Sequence, residues 1–192
     1  MFIVFEGIDG TGKSTQVNLL ADALRAQGRE VITSKEPTDG PHGKRLRDSA
    51  STGRLSPEEE LELFHLDRKE HVDSLIKPAL ERGAIVILDR YYFSTMAYQG
   101  LRGFDPAEIR KANEQFAPIP DHVFILEVPI ETALERIGVR DGQANEFEQR
   151  EALEGCHRIF SSLMDDFIHR INASPTPESI HQEILSLLEV SS

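Results

Sequence analysis

A three-layer α/β fold, with a parallel sheet of about five strands and helices on both faces, is what this 192-residue sequence predicts. Three observations carry the prediction. Short, near-continuous apolar runs rich in β-branched and aromatic residues alternate along the chain with amphipathic stretches, as strands covered on both faces require. The amphipathic stretches have legible helix starts and stops. No internal repeat, low-complexity tract or Ser/Gly linker interrupts the alternation, so one domain spanning residues 1–192 is expected.

The elements follow in order. FIVF (2–5) is the first strand, and residues 14–27 form a helix with Val17, Leu20, Ala21 and Leu24 on one face and Gly28 as its stop. EVITS (30–34) is the second strand. The next long helix opens in SPEEE, where Ser56 is placed as N-cap, Pro57 takes the first helical position and Glu59 closes a capping box. It runs to Gly83. AIVILD (84–89) and HVFILEV (122–128) are the third and fourth strands, and IHRIN (168–172) is a weaker fifth. FDPAE, with Asp105 and Pro106, and SPTPES, with Thr176 and Pro177, open two further helices. Such sheets bind ligands beyond the carboxyl ends of their strands. The polar residues there are Glu6 to Thr15, Asp89 and Arg90, and Lys35 to Asp39.

Composition narrows the function classes. A formal charge of -12 repels polyanions, which argues against nucleic acid or an anionic membrane as the main partner. Cys156 is the single cysteine, so no disulfide framework or cysteine zinc cluster can form within the chain, as suits a reducing cytoplasm. The N-terminal apolar run lacks a basic lead and is too short for a signal peptide, and no segment approaches a membrane span. A cytoplasmic protein is expected. The seven histidines are scattered without ligand spacing, and His65 and His71 read as surface or packing residues.

The stretch FEGIDGTGKST (5–15) carries the chemistry. Gly7, Gly12, Lys13 and Ser14 satisfy G-x-x-x-x-G-K-[ST] between a strand and an amphipathic helix. Glycines let backbone N–H groups converge on a phosphate chain, the helix N-terminus adds partial positive charge, and Lys13 adds a full one. Ser14 would ligate Mg²⁺ through its hydroxyl, and the loop from Gly7 through Ile8, Asp9, Gly10, Thr11 and Gly12 to Thr15 is expected to cradle a nucleoside triphosphate. A P-loop alone does not separate a kinase from a GTPase switch. The guanine-binding N-K-x-D is absent, and no D-x-x-G follows a strand as a switch would need.

Two more segments add phosphate- and base-seeking groups. Asp89 and Arg90 end the third strand, where a carboxylate could order Mg²⁺ waters and a guanidinium could clamp a phosphate; the alternative is a helix cap with surface pairing. In LFHLDRKEH, Phe64 and Arg68 stand four apart on one helix face, so a ring could stack on a base while the arginine bonds its edge. The alternative makes Phe64 core and Arg68 a solvated partner of Glu60 or Glu62.

FEGIDGTGKST, KEPTDGPHGKRLR, ELFHLDRKEH, DRYYFSTMAYQG and PDHVFILEVPIETALERI occur in an order and spacing that resembles the thymidylate kinases, P-loop nucleoside monophosphate kinases, over nearly the whole chain. The resemblance implies the three-layer P-loop kinase fold, transfer of the γ-phosphoryl group of ATP to dTMP, Mg²⁺ as cofactor and a homodimer. It implies that Asp9 accepts a hydrogen bond from the acceptor's 3′-hydroxyl, that Glu36 and Pro37 form a turn beside the acceptor, and that Arg47 and Arg90 hold its phosphate. Phe64 would stack on thymine with Arg68 on the base edge, and Ser94, Thr95, Tyr98 and Gln99 would line base and sugar. Glu36 as a mere turn former and Thr95 as a mere helix cap remain alternatives.

The lid departs from the family pattern. Gly10 and Thr11 stand where some members carry a P-loop arginine, so the lid around 136–150 should supply the cation. Arg136, Arg140 and Arg150 are its only basic residues; Arg136 and Arg140 share a helix face, which assigns Arg140 to the ATP phosphates or adenine and Arg136 to support. A solvated face of Glu–Arg pairs is the alternative. A kinase for another monophosphate and a non-kinase P-loop switch are the competing functions.

Overall fold

The protein's computed structural model describes residues 1–53, 55–141 and 146–190. Five parallel strands form one sheet in the order β2-β3-β1-β4-β5: β1 (Phe2–Glu6), β2 (Val31–Lys35), β3 (Ile85–Asp89), β4 (His122–Glu127) and β5 (Ile168–Asn172). The register aligns Val4 with Leu88 on one side and Val123 on the other, so the central strand is buried along its whole length. β2 was read as covered on both faces, but only Val31 in it is buried. Its place at the sheet edge is the reason: an edge strand has one neighbour to shield it.

Helices surround the sheet. α1 (Lys13–Ala26) packs on β1, β2, β3 and α9 (Pro177–Val190), while α5 (Tyr92–Gly100) packs against α3 (Pro57–His71), α6 (Pro106–Glu114) and α8 (Glu146–Ser161). α7 (Ile130–Asp141) leads towards α8. The capping box forms as the sequence predicts: Ser56 Oγ accepts from Glu59 N, and the Glu59 carboxylate accepts from Ser56 N. Asp105 caps α6 by accepting from Ala107 N.

Two features differ from the sequence reading. α2 (Pro41–Thr52), opened by a proline behind Gly40, lies in a stretch with too few apolar residues for periodicity to show it. The long helix through residue 83 is α3, a π-helical turn over Val72–Ile76, and α4 (Lys77–Glu81). Pro78 supplies the reason: it has no N–H and crowds the carbonyl four residues back, and the wider turn lies directly before it.

Candidate active site

The carboxyl ends of β1 and β3 bring the expected residues together. After Glu6 the chain turns through Gly7 at φ 130°, where a Cβ would lie 2.5 Å from the Leu126 carbonyl oxygen, so only glycine lets the loop pass this close to β4. Gly12, at φ 91°, then starts α1. Lys13 is buried under the loop, its Nζ donating to the carbonyls of Ile8 at 2.8 Å and Gly7 at 3.1 Å. Burial, reinforced by the nearby Arg90 charge, lowers its pKa to about 7. An anion at the loop would restore the cation.

Ser14 Oγ donates to Asp89 Oδ2, so a hydroxyl and a carboxylate converge from α1 and β3. Two hard oxygen ligands at the foot of a phosphate loop fit Mg²⁺, which takes few protein ligands and fills its shell with phosphate oxygens and water. No group of three or more His, Cys, Asp or Glu among the described residues could hold a metal by itself.

Two cavities meet beside this loop. One, of about 340 Å³, opens over the glycine-rich loop, lined by Lys13, Ser14, Thr15 and Asp89 as well as Asp9 and Arg90. The other, of about 220 Å³, also reaches Asp9 and Arg90 and extends over Tyr98, Phe64 and Arg68. Asp9 and Arg90 thus form the shared wall, paired at 2.6 Å. Arg90 holds φ 73°, the only non-glycine residue with positive φ among those described, and this left-handed backbone is a cost that the surrounding bonds must offset. Its Nη1 donates to Ser94 Oγ at 2.8 Å, and its charge lies 5.2 Å from the centre of the Tyr98 ring. The surface-pairing alternative for Arg90 is not realised.

Glu6 supports this wall from behind, and the sequence reading gave it no role. It is wholly buried and accepts from Tyr91 N at 2.8 Å, Ser94 N at 3.1 Å and Ser94 Oγ at 2.5 Å, capping α5. Burial outweighs those bonds and raises its pKa to about 7. A carboxylate closing an otherwise apolar strand was the signal.

Buried polar side chains form the floor of the second cavity. Arg68, 1% exposed, spends one bond per nitrogen: Nε on Glu36 at 2.8 Å, Nη1 on Asn113 at 2.6 Å and Nη2 on Thr95 at 2.9 Å. It is therefore not a solvated partner of Glu60 or Glu62. Glu36, Pro37, Phe64, Ser94 and Thr95 also line the cavity, joined by Tyr91, whose ring faces the Arg68 cation. His71 is buried as well, although it read as a surface or packing residue, with Nδ1 3.0 Å from Glu36 Oε1. The spacing of Phe64, Arg68 and His71, four and then three residues, was the available signal.

Other candidates stand elsewhere. Gln99 is buried but turned away from the cavity, donating to Glu60 at 2.7 Å. Arg47 donates to the carbonyls of Pro37 and Thr38 and pairs with Asp39 at 2.9 Å, outside the cavity lining. Gln99 is drawn to a carboxylate on α3, and Arg47 to acceptors at 37–39 just before its own helix. Arg136 Nη1 donates to the Gly10 carbonyl at 3.1 Å, beside a pocket of about 330 Å³ that Gln16, Pro175 and Ile180 also line. Arg150 pairs with Glu131 at 2.8 Å. The side chain of Arg140 lies outside the described residues, as do the other lid side chains from 139 to 149.

Comparison with known proteins agrees with this geometry. The family model described as Thymidylate kinase matches residues 5–184. The chain is similar to the thymidylate kinase of Akkermansia muciniphila, 53% identical over 188 residues that cover 98% of this chain and 91% of the relative. Similar relatives are the thymidylate kinases of Desulfotalea psychrophila, 46% identical over 95% of this chain and 91% of the relative, and of Xanthomonas euvesicatoria, 48% identical over 98% and 83%. A phosphate loop, a second cavity sharing its wall and a family match over nearly the whole length lead to one conclusion: the chain belongs to the thymidylate kinase family.

Proposed function

We infer that the protein transfers the γ-phosphoryl group of ATP to dTMP, giving dTDP and ADP. One observation carries the reading beyond family membership: the phosphate cradle and the second cavity meet at Asp9 and Arg90, so two nucleotides can be held with their phosphates facing. Transfer between two nucleotides needs positioning and charge neutralisation more than covalent chemistry. The bond from the γ-phosphorus to its bridging oxygen breaks as a bond to a dTMP phosphate oxygen forms. The acceptor oxygen is already anionic, so no general base is required.

The site residues take these roles in the proposal. Lys13 and the amides from Gly7 to Thr15 bind the ATP phosphates, and Arg90 binds the dTMP phosphate on the other side of the shared wall. Asp9 meets the 3′-hydroxyl, and Tyr98 closes the sugar edge, leaving little room for a 2′-hydroxyl. Phe64 stacks on thymine while Arg68, fixed by three partners, presents the remaining edge of its guanidinium. Ser14 and Asp89 would hold Mg²⁺, which when bound neutralises charge on the β- and γ-phosphates. Arg136, already at the P-loop, and Arg140 are the donor-side cations. A single domain, a homodimer and a cytoplasmic location complete the proposal, on the strength of the family. Light scattering that returned a monomer mass would remove the dimer.

A coupled ADP-release assay over a panel of nucleoside monophosphates tests the reaction. Turnover should be fastest with dTMP. Another monophosphate turning over while dTMP fails would replace the substrate, and tight GTP binding with no transfer would replace the function.

A further inference from the structure

We propose that His71 is a positioning residue for acceptor-base recognition: it fixes the Glu36 carboxylate, and through it the plane of the Arg68 guanidinium at the cavity floor. This rests on the reading of that cavity as the acceptor site. His71 does not line the cavity, and it is 5% exposed, so it acts only through its neighbours.

Both of its ring nitrogens are engaged. Nδ1 lies 3.0 Å from Glu36 Oε1 and Nε2 lies 2.9 Å from Ser34 Oγ. A carboxylate only accepts, so Nδ1 carries a proton; in the neutral ring Nε2 then accepts from the Ser34 hydroxyl. Ser34 belongs to β2, which leads into Glu36, whereas His71 ends the helix that bears Phe64 and Arg68. The imidazole therefore ties the two walls of the cavity together from behind.

The consequence lies in how Glu36 divides its oxygens. Oε2 takes Arg68 Nε and Oε1 takes His71, so each oxygen has a different donor. Without the His71 donor, Oε1 would be buried with no partner, which is costly. The nearest remedy is a two-pronged pairing of Glu36 with the Arg68 fork, since carboxylate and guanidinium favour that geometry. It would draw the guanidinium off Thr95 and Asn113 and rotate the edge offered to the base. Base recognition should loosen while the phosphate-transfer groups, which sit around Asp9 and Arg90, stay in place.

Two amide substitutions separate this role from packing. In His71→Asn the amide nitrogen falls near the position of Nδ1 and can still donate to Glu36. In His71→Gln it falls near Nε2 and reaches Ser34 instead. Steady-state kinetics should show the KM for dTMP rising about tenfold in His71→Gln and less than about threefold in His71→Asn, with kcat and the KM for ATP little changed in both. Discrimination between dTMP and dCMP should fall in His71→Gln alone. Equal behaviour of the two variants, or unchanged KM for dTMP in His71→Gln, would overturn the proposal. Ser34→Ala is a milder change that removes only the Nε2 partner and leaves the donor to Glu36, so its KM for dTMP should stay within about twofold; a tenfold rise there would overturn the proposal too. Phe64→Ala separates the two readings. If it leaves the KM for dTMP unchanged, the cavity is not the acceptor site; if it raises that KM while His71→Asn and His71→Gln behave alike, only the role of His71 falls.

Discussion

Binding of ATP should draw a proton from solvent, and Lys13 is the reason. In the unliganded protein its ammonium is buried among loop carbonyls, and its pKa falls from 10.5 to about 7. That depression corresponds to about 5 kcal/mol held against the charged form. A triphosphate beside Nζ reverses the balance and returns the group to its ordinary range. At about pH 8 roughly nine-tenths of the lysines are neutral before binding and charged after it, so uptake should approach about 0.9 proton per ATP. Near pH 6 the lysine is already charged and uptake through it should shrink to about 0.1 proton. Affinity for ATP should accordingly weaken, approaching about tenfold per pH unit above pH 8. Calorimetry in two buffers of different ionisation enthalpy measures the uptake directly, above pH 7.5 or so where the triphosphate itself is fully ionised. Lys13→Arg keeps a cation that does not titrate and should abolish the buffer dependence. Binding heats independent of buffer in the wild type, or equally dependent in Lys13→Arg, would refute the reasoning. Glu6→Gln controls for the other group near neutrality.

Other outcomes follow from the same geometry. The raised pKa of Glu6, about 7 against 4.5, means that its contribution to stability is fully present below about pH 4.5 and is lost as pH rises through 7. Over that window the wild type should lose up to about 3 kcal/mol that Glu6→Gln does not, as denaturant titrations at several pH values would reveal; parallel profiles would contradict this. Gly7→Ala forces a Cβ against the Leu126 carbonyl at a positive φ and should cost about 2 kcal/mol or more, lowering the urea midpoint. Phe64→Ala should raise the KM for dTMP by about tenfold or more and leave the KM for ATP alone, read from initial rates with each substrate varied. Arg136→Ala should raise the KM for ATP and not that for dTMP. If Arg140→Ala lowers the catalytic rate no more than Arg150→Ala, the lid assignment fails.

The sequence by itself determined the strand cores, the proline-marked starts of several helices and the glycine-rich loop, because those depend on local chemistry. Apolar runs must be buried, Ser56 and Glu59 find each other within one turn, and G-x-x-x-x-G-K-S shapes its own backbone. The pairing of Phe64 with Arg68 was visible for the same reason, as neighbours on one helix face. Tertiary structure alone decided which groups those side chains meet. Arg68 is tied to Glu36, Asn113 and Thr95 across separations of 27 to 45 residues, and no pattern on α3 reports the far partners. Glu6 caps a helix 85 residues away, and His71 joins a strand 37 residues before it, so both looked ordinary in the chain. Gln99 and Arg47 read as ligand-facing and turn instead to acceptors nearby in space. A side chain's type fixes what it can bond, but only the packed fold decides which of the available partners lies within 3 Å or so.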